Sequence, residues 1–175
     1  HVTDCAEYTS PRLADRGPFR YGGQHARAGG NPVERTPMKI GIILGSIRDG
    51  RKAEQVGQWV AAAAAARDGV EVTVLDLKDF DVPLLTSATV PGAANRQYDS
   101  AAVTAWGEAV DAQDGFVFVT PEYNHSIPGA FKNAFDSIGP EWAGKTVGFV
   151  AYGADGGVRA VEHWRQITAN FSMVD

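Results

Sequence analysis

Three short segments of this chain concentrate residues able to do chemistry. The first, Gly45-Ser46-Ile47-Arg48-Asp49-Gly50-Arg51-Lys52, follows an apolar run and leads straight into a helical pattern. Backbone N–H groups at such a helix start form an anion site, with Ser46 as a hydroxyl donor and Arg48 and Arg51 as charge partners. The spacing excludes two rival phosphate motifs. Gly41, Gly45 and Gly50 have the wrong intervals for G-x-G-x-x-G, and Asp76 falls 31 residues after Gly45. A ribose-binding acid is expected after ~20. The segment nearly matches G-x-x-x-x-G-K-[ST], yet Arg51, Lys52 and Ala53 leave no hydroxyl for magnesium. A phosphate pocket without a metal ligand suits a monophosphate better than ATP.

The second segment, Pro121 to Gly129 (PEYNHSIPG), carries two prolines and a glycine that fix its backbone. A stiff loop of this kind can present its N–H and C=O groups edge-on to a planar heterocycle. A general-acid role for His125 or Glu122 is the lesser reading, because neither has a partner visible in the sequence. Lys132 and Asn133 follow on the next helix and are read as structural, one solvated and one bonding back to the loop. The third segment, Tyr152-Gly153-Ala154-Asp155-Gly156-Gly157, permits close backbone approach before another helix. Taken singly, each segment could be an ordinary turn. Their convergence on one pocket is the argument.

The elements that must position them alternate strand and helix four times from Met38 onward. Strands are expected over 39–44, 70–77, 115–120 and 145–152, apolar throughout as in a buried parallel sheet. Helices are expected over 51–67, 97–111, 128–138 and 157–170. The first would turn Ala53, Val56, Val60 and Ala63 inward, and the second Ala101, Ala105 and Val110. The third would bury Phe131, Ala134, Phe135 and Ile138. Repeated β-then-α units give an α/β, doubly wound parallel sheet with helices on both faces. In such sheets ligands bind at the carboxyl ends of the strands, where the three segments fall.

Composition narrows the classes further. With 44% hydrophobic and 21% charged residues among 175, the chain has the mixture of a globular domain. Its net charge of −5 offers no basic surface for nucleic acid. The longest uncharged apolar candidate, 56–66, is eleven residues and mostly alanine, short of the ~18 a membrane span needs. The single cysteine, Cys5, cannot form an internal disulfide, and no His/Cys cluster has metal spacing. These point to a cytoplasmic protein. Residues 1–37 hold five Arg, no Lys, four Pro and five Gly, without apolar periodicity. They are read as a disordered, non-native N-terminal extension, leaving 38–175 as the domain.

The stretches GSIRDGR (45–51), DLKDFDVPLL (76–85), PEYNHSIPGAFKNAFDSI (121–138) and YGADGGVRAVEHWRQ (152–166) resemble the NADPH-dependent FMN reductases of the flavodoxin-like fold. That family includes quinone, azo-dye and chromate reductases. The resemblance runs in order over 38–175 and implies a strand order of 2-1-3-4(-5). It implies non-covalent FMN as cofactor and NADPH or NADH as electron donor. The acceptor would be a small molecule: a quinone, azo compound, flavin or metal oxyanion. By position, Ser46, Arg48 and Arg51 would hold the phosphate, although many family members have Ser at the place of Arg51. Pro121, Glu122, Tyr123 and Asn124 would meet the isoalloxazine edge through their backbone, and Gly153, Gly156 and Gly157 its pyrimidine side. The resemblance also implies a homodimer or homotetramer. Family members continue into a fifth strand and a last helix, so the fourth strand is expected to be a long apolar edge and the domain C-terminally truncated. The alternative is a flavodoxin-like FMN electron carrier without NAD(P)H activity.

Overall fold

Alternating apolar side chains on four short strands need cover on both faces, and the helices supply it unequally. The computed structural model describes residues 36–175, so nearly all of the N-terminal extension lies outside the described residues. Strands β1 (Met38–Leu44), β2 (Val70–Asp76), β3 (Gly115–Pro121) and β4 (Thr146–Tyr152) run parallel in the order β2-β1-β3-β4. They are joined by helices α1 (Ala53–Ala65), α2 (Leu77–Phe80), α3 (Ala101–Asp111), α4 (Gly129–Asp136) and α5 (Val158–Ala169). The expected doubly wound, flavodoxin-like sheet is therefore observed, with α2 an additional short turn of helix.

Among the described residues, one face of the sheet carries only α1. There Ile42, Leu44 and Val119 pack on Ala53 and Val60. The opposite face carries α3, α4 and α5 over Phe116, Phe118, Trp106, Phe131, Phe135, Trp142 and Trp164. Phe118 lies at the centre of that face, 4.8 Å from the Phe131 ring and 5.1 Å from Trp164, centroid to centroid. Aromatic groups of this size dominate core energetics.

Two helix stripes differ from expectation. In α1, Ala53, Gly57 and Val60 are buried while Ala63 is exposed. Gly57 lies so close to Leu44 that an added Cβ would collide with that side chain. In α3, Val103, Trp106, Gly107 and Val110 face inward and Ala101 and Ala105 face out. Burying an indole removes far more apolar surface than burying two methyls, so Trp106 sets the rotation. Its Nε1–H donates to the carbonyl of Ala134 at 2.8 Å. Helix α3 also starts at residue 101 rather than 97, because Ser100 before it is extended at φ −118° and ψ 131°. The α4 stripe is as expected, with Phe131, Ala134, Phe135 and Ile138 all buried.

The outer edge of β4 is not wholly bare. Beyond α5, Val174 pairs in parallel with Thr146. The Val147 N–H donates to the Val174 carbonyl at 2.8 Å, and the Val174 N–H to that of Lys145 at 3.1 Å. The expected open edge is therefore covered at its first residues, while Gly148 remains exposed.

Candidate functional site

The chain leaves β1 at Gly45, whose N–H donates to the Val119 carbonyl at 2.9 Å. A Cβ at this position would run into the Phe131 ring, so only glycine lets the turn sit this low over the core. Ser46 is buried, and its hydroxyl lies 2.7 Å from that of Tyr123. Gly50, at φ 67°, turns the chain into α1, whose first turn has no side-chain cap. Arg48 is exposed, its guanidinium 5.7 Å from the centroid of the Tyr123 ring. Among the described residues it forms no ion pair.

Arg51 behaves differently. Its Nη1 donates to Asp76 at 2.7 Å and to the Ser46 carbonyl at 2.6 Å. Its Nη2 donates to Asp76 at 2.5 Å and to Glu54 at 2.9 Å, and its Nε to Glu54 at 3.1 Å. A guanidinium has five N–H groups, and all five are thereby engaged. The side chain is only 5% exposed. The Asp76 carboxylate, more than Glu54, pushes its pKa up against the cost of burial. Arg51 was expected to meet a phosphate directly, but it has no donor left to offer one. Asp76, rejected above as a ribose acid, is its partner. Leu44 and Asp76 are register neighbours on β1 and β2, which brings the carboxylate under the loop.

The loop after β3 contains a two-residue turn. Tyr123 and Ser126 exchange both backbone hydrogen bonds, at 2.9 and 3.0 Å, around Asn124 at φ 49° and His125 at φ 64°. Two consecutive left-handed residues are the geometry of a tight hairpin turn, a state in which non-glycine residues cost of order 1 kcal/mol or more each. Glu122 has partners after all. Its Oε2 accepts the N–H groups of Arg159 and Ala160 at 3.0 and 3.4 Å, and its Oε1 accepts Arg159 Nη1 at 3.0 Å. It thus caps the N-terminus of α5. Burial works to raise its pKa, but the Arg159 guanidinium and the two N–H groups outweigh it and hold the carboxyl below its ordinary value. An ionised, capped carboxylate is no general acid.

The loop after β4 folds back on its own strand. Gly156 and Gly157 have φ of 73° and 77°. A Cβ on Gly157 would come within 2.7 Å of Ala151 Cβ and 2.8 Å of Tyr152 N. One on Gly153 would come within 3.1 Å of Glu122 Cβ, so this loop and the β3 loop are in direct contact. The Oη of Tyr152 is shielded and has no hydrogen-bond partner among the described residues. All three expected segments thus meet at the carboxyl edge of the sheet.

Asn133 does not bond back to the β3 loop. Its Oδ1 accepts the Leu85 N–H at 2.9 Å and its Nδ2 donates to the Pro83 carbonyl at 2.8 Å, tying down the segment after α2. Lys132 pairs with Asp136. Arg159 and His163 escaped sequence reasoning, although their i, i+4 spacing on one helix was a signal that both could face the same loop. Among the described residues no group of His, Cys, Asp and Glu could hold a metal, and no helix is long and apolar enough to cross a membrane.

A parallel sheet in this order, with an anion-type turn after β1 and a glycine turn after β4, defines the flavodoxin-like class. The chain belongs to the NADPH-dependent FMN reductase family, whose profile matches residues 38–175. An NAD(P)H-dependent FMN reductase from Nectria sp is 36% identical over 126 residues, covering 70% of this chain and 63% of that protein. A quinone reductase from Escherichia coli is 33% identical over 138 residues, covering 74% of this chain and 69% of that protein. The chain therefore spans about two thirds of the length of these curated relatives. The flavoenzyme NAD(P)H:(acceptor) oxidoreductase FerB from Paracoccus denitrificans superposes with a TM-score of 0.63 at 20% identity, covering 78% of this chain and 74% of that one. At that identity the likeness is one of fold.

Proposed function

We propose that this chain is an FMN-dependent NAD(P)H oxidoreductase that reduces a quinone, azo compound, flavin or metal oxyanion. The observation that carries the reading is the Ser46–Tyr123 hydroxyl pair, 2.7 Å apart across 77 residues, which joins the anion-type turn to the stiff β3 loop. Two features suit FMN as the occupant. Gly156 faces open space and so presents bare backbone, and among the described residues Tyr152 Oη is a shielded hydroxyl in want of a partner. When bound, FMN supplies the two-electron relay between the nicotinamide and the acceptor.

The protein's part is to bind and orient. Ser46, Arg48 and the uncapped N–H groups of α1 hold the phosphate dianion. Arg51 holds the turn in shape from beneath, through Asp76 and the Ser46 carbonyl. The backbone of Pro121, Glu122, Tyr123 and Asn124 meets the ring edge, and Gly153, Gly156 and Gly157 admit the pyrimidine side. Hydride transfer needs no protein acid or base, which agrees with Glu122 being ionised and capped. The working form is a homodimer or homotetramer. Leu84 and Val90, 77% and 70% exposed on the segment after α2, are apolar residues suited to cover by a second copy. A cytoplasmic location goes with a soluble nicotinamide donor.

The test is to purify the chain, load it with FMN, and add NADPH and then NADH without oxygen. Bleaching of the yellow spectrum is expected. Flavin that binds but does not bleach would replace this reading with the electron carrier, and failure to bind flavin would end both.

A further inference from the structure

The two-residue turn at Asn124 and His125 is strained, yet nothing within the loop holds it except its own two backbone hydrogen bonds. Helix α5 supplies the rest. Arg159 takes Glu122 at one end of the loop. One helical turn later, His163 Nδ1 lies 2.8 Å from Ser126 Oγ at the other end. Both ties come from the same face of α5, and they bracket the two left-handed residues. Ser126 is also the residue that closes the turn through Tyr123. Helix α5 is rigidly placed, because Trp164, next to His163, is fully buried and donates to Thr120 Oγ1 at 3.2 Å. A strained backbone persists only where its surroundings over-determine it, and here the surroundings are a helix face.

We propose that His163 is a positioning residue for the flavin ring, acting through Ser126 to hold the backbone of residues 123–125 against the isoalloxazine edge. This rests on the FMN reading above. It does not require His163 to touch the flavin or its phosphate. It follows that loss of His163 weakens any ligand with an isoalloxazine ring, whether or not the ligand carries a phosphate. Asparagine can place an amide atom close to where the histidine Nδ1 stands, so it should restore the tie.

The experiment titrates FMN and riboflavin separately into wild type, His163→Ala, His163→Asn, Ser126→Ala and the Ser126→Ala/His163→Ala double variant. Amide hydrogen exchange at Tyr123 and Ser126, whose N–H groups close the turn, is followed in the flavin-free proteins. His163→Ala should weaken both ligands by about 3- to 10-fold, the range for one hydrogen bond. It should speed exchange at the turn without moving the melting temperature. Ser126→Ala should do the same, the double variant should be no worse than either single, and His163→Asn should return to near wild type. Losses that add in the double variant, loss for FMN alone, or no rescue by asparagine would overturn the inference. A wild-type chain that binds neither flavin would instead overturn the functional reading on which it rests.

Discussion

The two loops that would grip a flavin from opposite ends are stabilised by different physics. The turn after β1 is held by charge: one buried guanidinium with all five N–H groups engaged, across two strands and the start of α1. The loop after β3 is held by backbone: two reciprocal hydrogen bonds around left-handed residues, then two ties to α5. A charge lattice fails all at once when one member is removed, whereas a splinted turn loosens by steps. On the proposed reading the two ends meet different parts of the ligand, so damage to each should be separable by the ligand used.

Arg51→Ala should have the largest effect. Removing one partner from a pair this buried leaves Asp76 uncompensated, which costs about 3–5 kcal/mol. Urea denaturation should show that loss, and FMN affinity should fall with it. A variant as stable as wild type would mean that the charge lattice does not hold the turn.

Arg48→Ala should leave stability unchanged and weaken FMN about 10- to 100-fold, from charge-assisted bonds of ~1.5–3 kcal/mol at ~1.4 kcal/mol per decade. Riboflavin, lacking the phosphate, should bind the variant as it binds wild type. Fluorescence quenching titrations with both ligands decide this. Equal loss for the two ligands would remove Arg48 from the phosphate site.

Glu122→Gln should act on the other end and weaken both ligands alike, by about 10-fold, since the ion pair with Arg159 is lost and one acceptor oxygen becomes an amide donor. The pH dependence follows from the sign of its shift. A carboxyl held below its ordinary value of 4.5 stabilises the folded loop above that pH and ceases to do so as pH falls through the lower, folded-state value. Riboflavin affinity in wild type should therefore fall in acid below about pH 4.5, while Glu122→Gln should lack that component. Parallel acid profiles for the two proteins would show that the carboxylate is not the tie.

Deleting residues 1–37 should have the smallest effect, less than about fivefold on FMN affinity (about 1 kcal/mol), because the segment has no apolar periodicity with which to build packed surface. A tenfold loss by titration would make it part of the site.

Much of this was legible in the residues. The strand and helix alternation, the sheet order implied by resemblance, the α4 stripe and the meeting of three loops all follow from local pattern and topology. The differences have a common physical cause. Apolar character alone turns Ala101, Ala105 and Ala63 inward, but Trp106 and the close Gly57–Leu44 approach set how the helices roll. Asn133 was given the nearest loop in sequence and instead holds Pro83 and Leu85, some 50 residues away.

The amino-acid sequence marks where a phosphate and a flat ring are to be expected, because glycine, proline and a strand-to-helix junction constrain the backbone locally. It could not determine which charges were free to meet them. Arg48 and Arg51 look equivalent in a string of letters. Only the parallel register of β1 with β2 puts Asp76 beneath one of them, and only the packing of α5 puts Arg159 and His163 against Glu122 and Ser126. Whether a side chain is a ligand or a brace depends on partners distant in the chain, and those exist only once the sheet has formed.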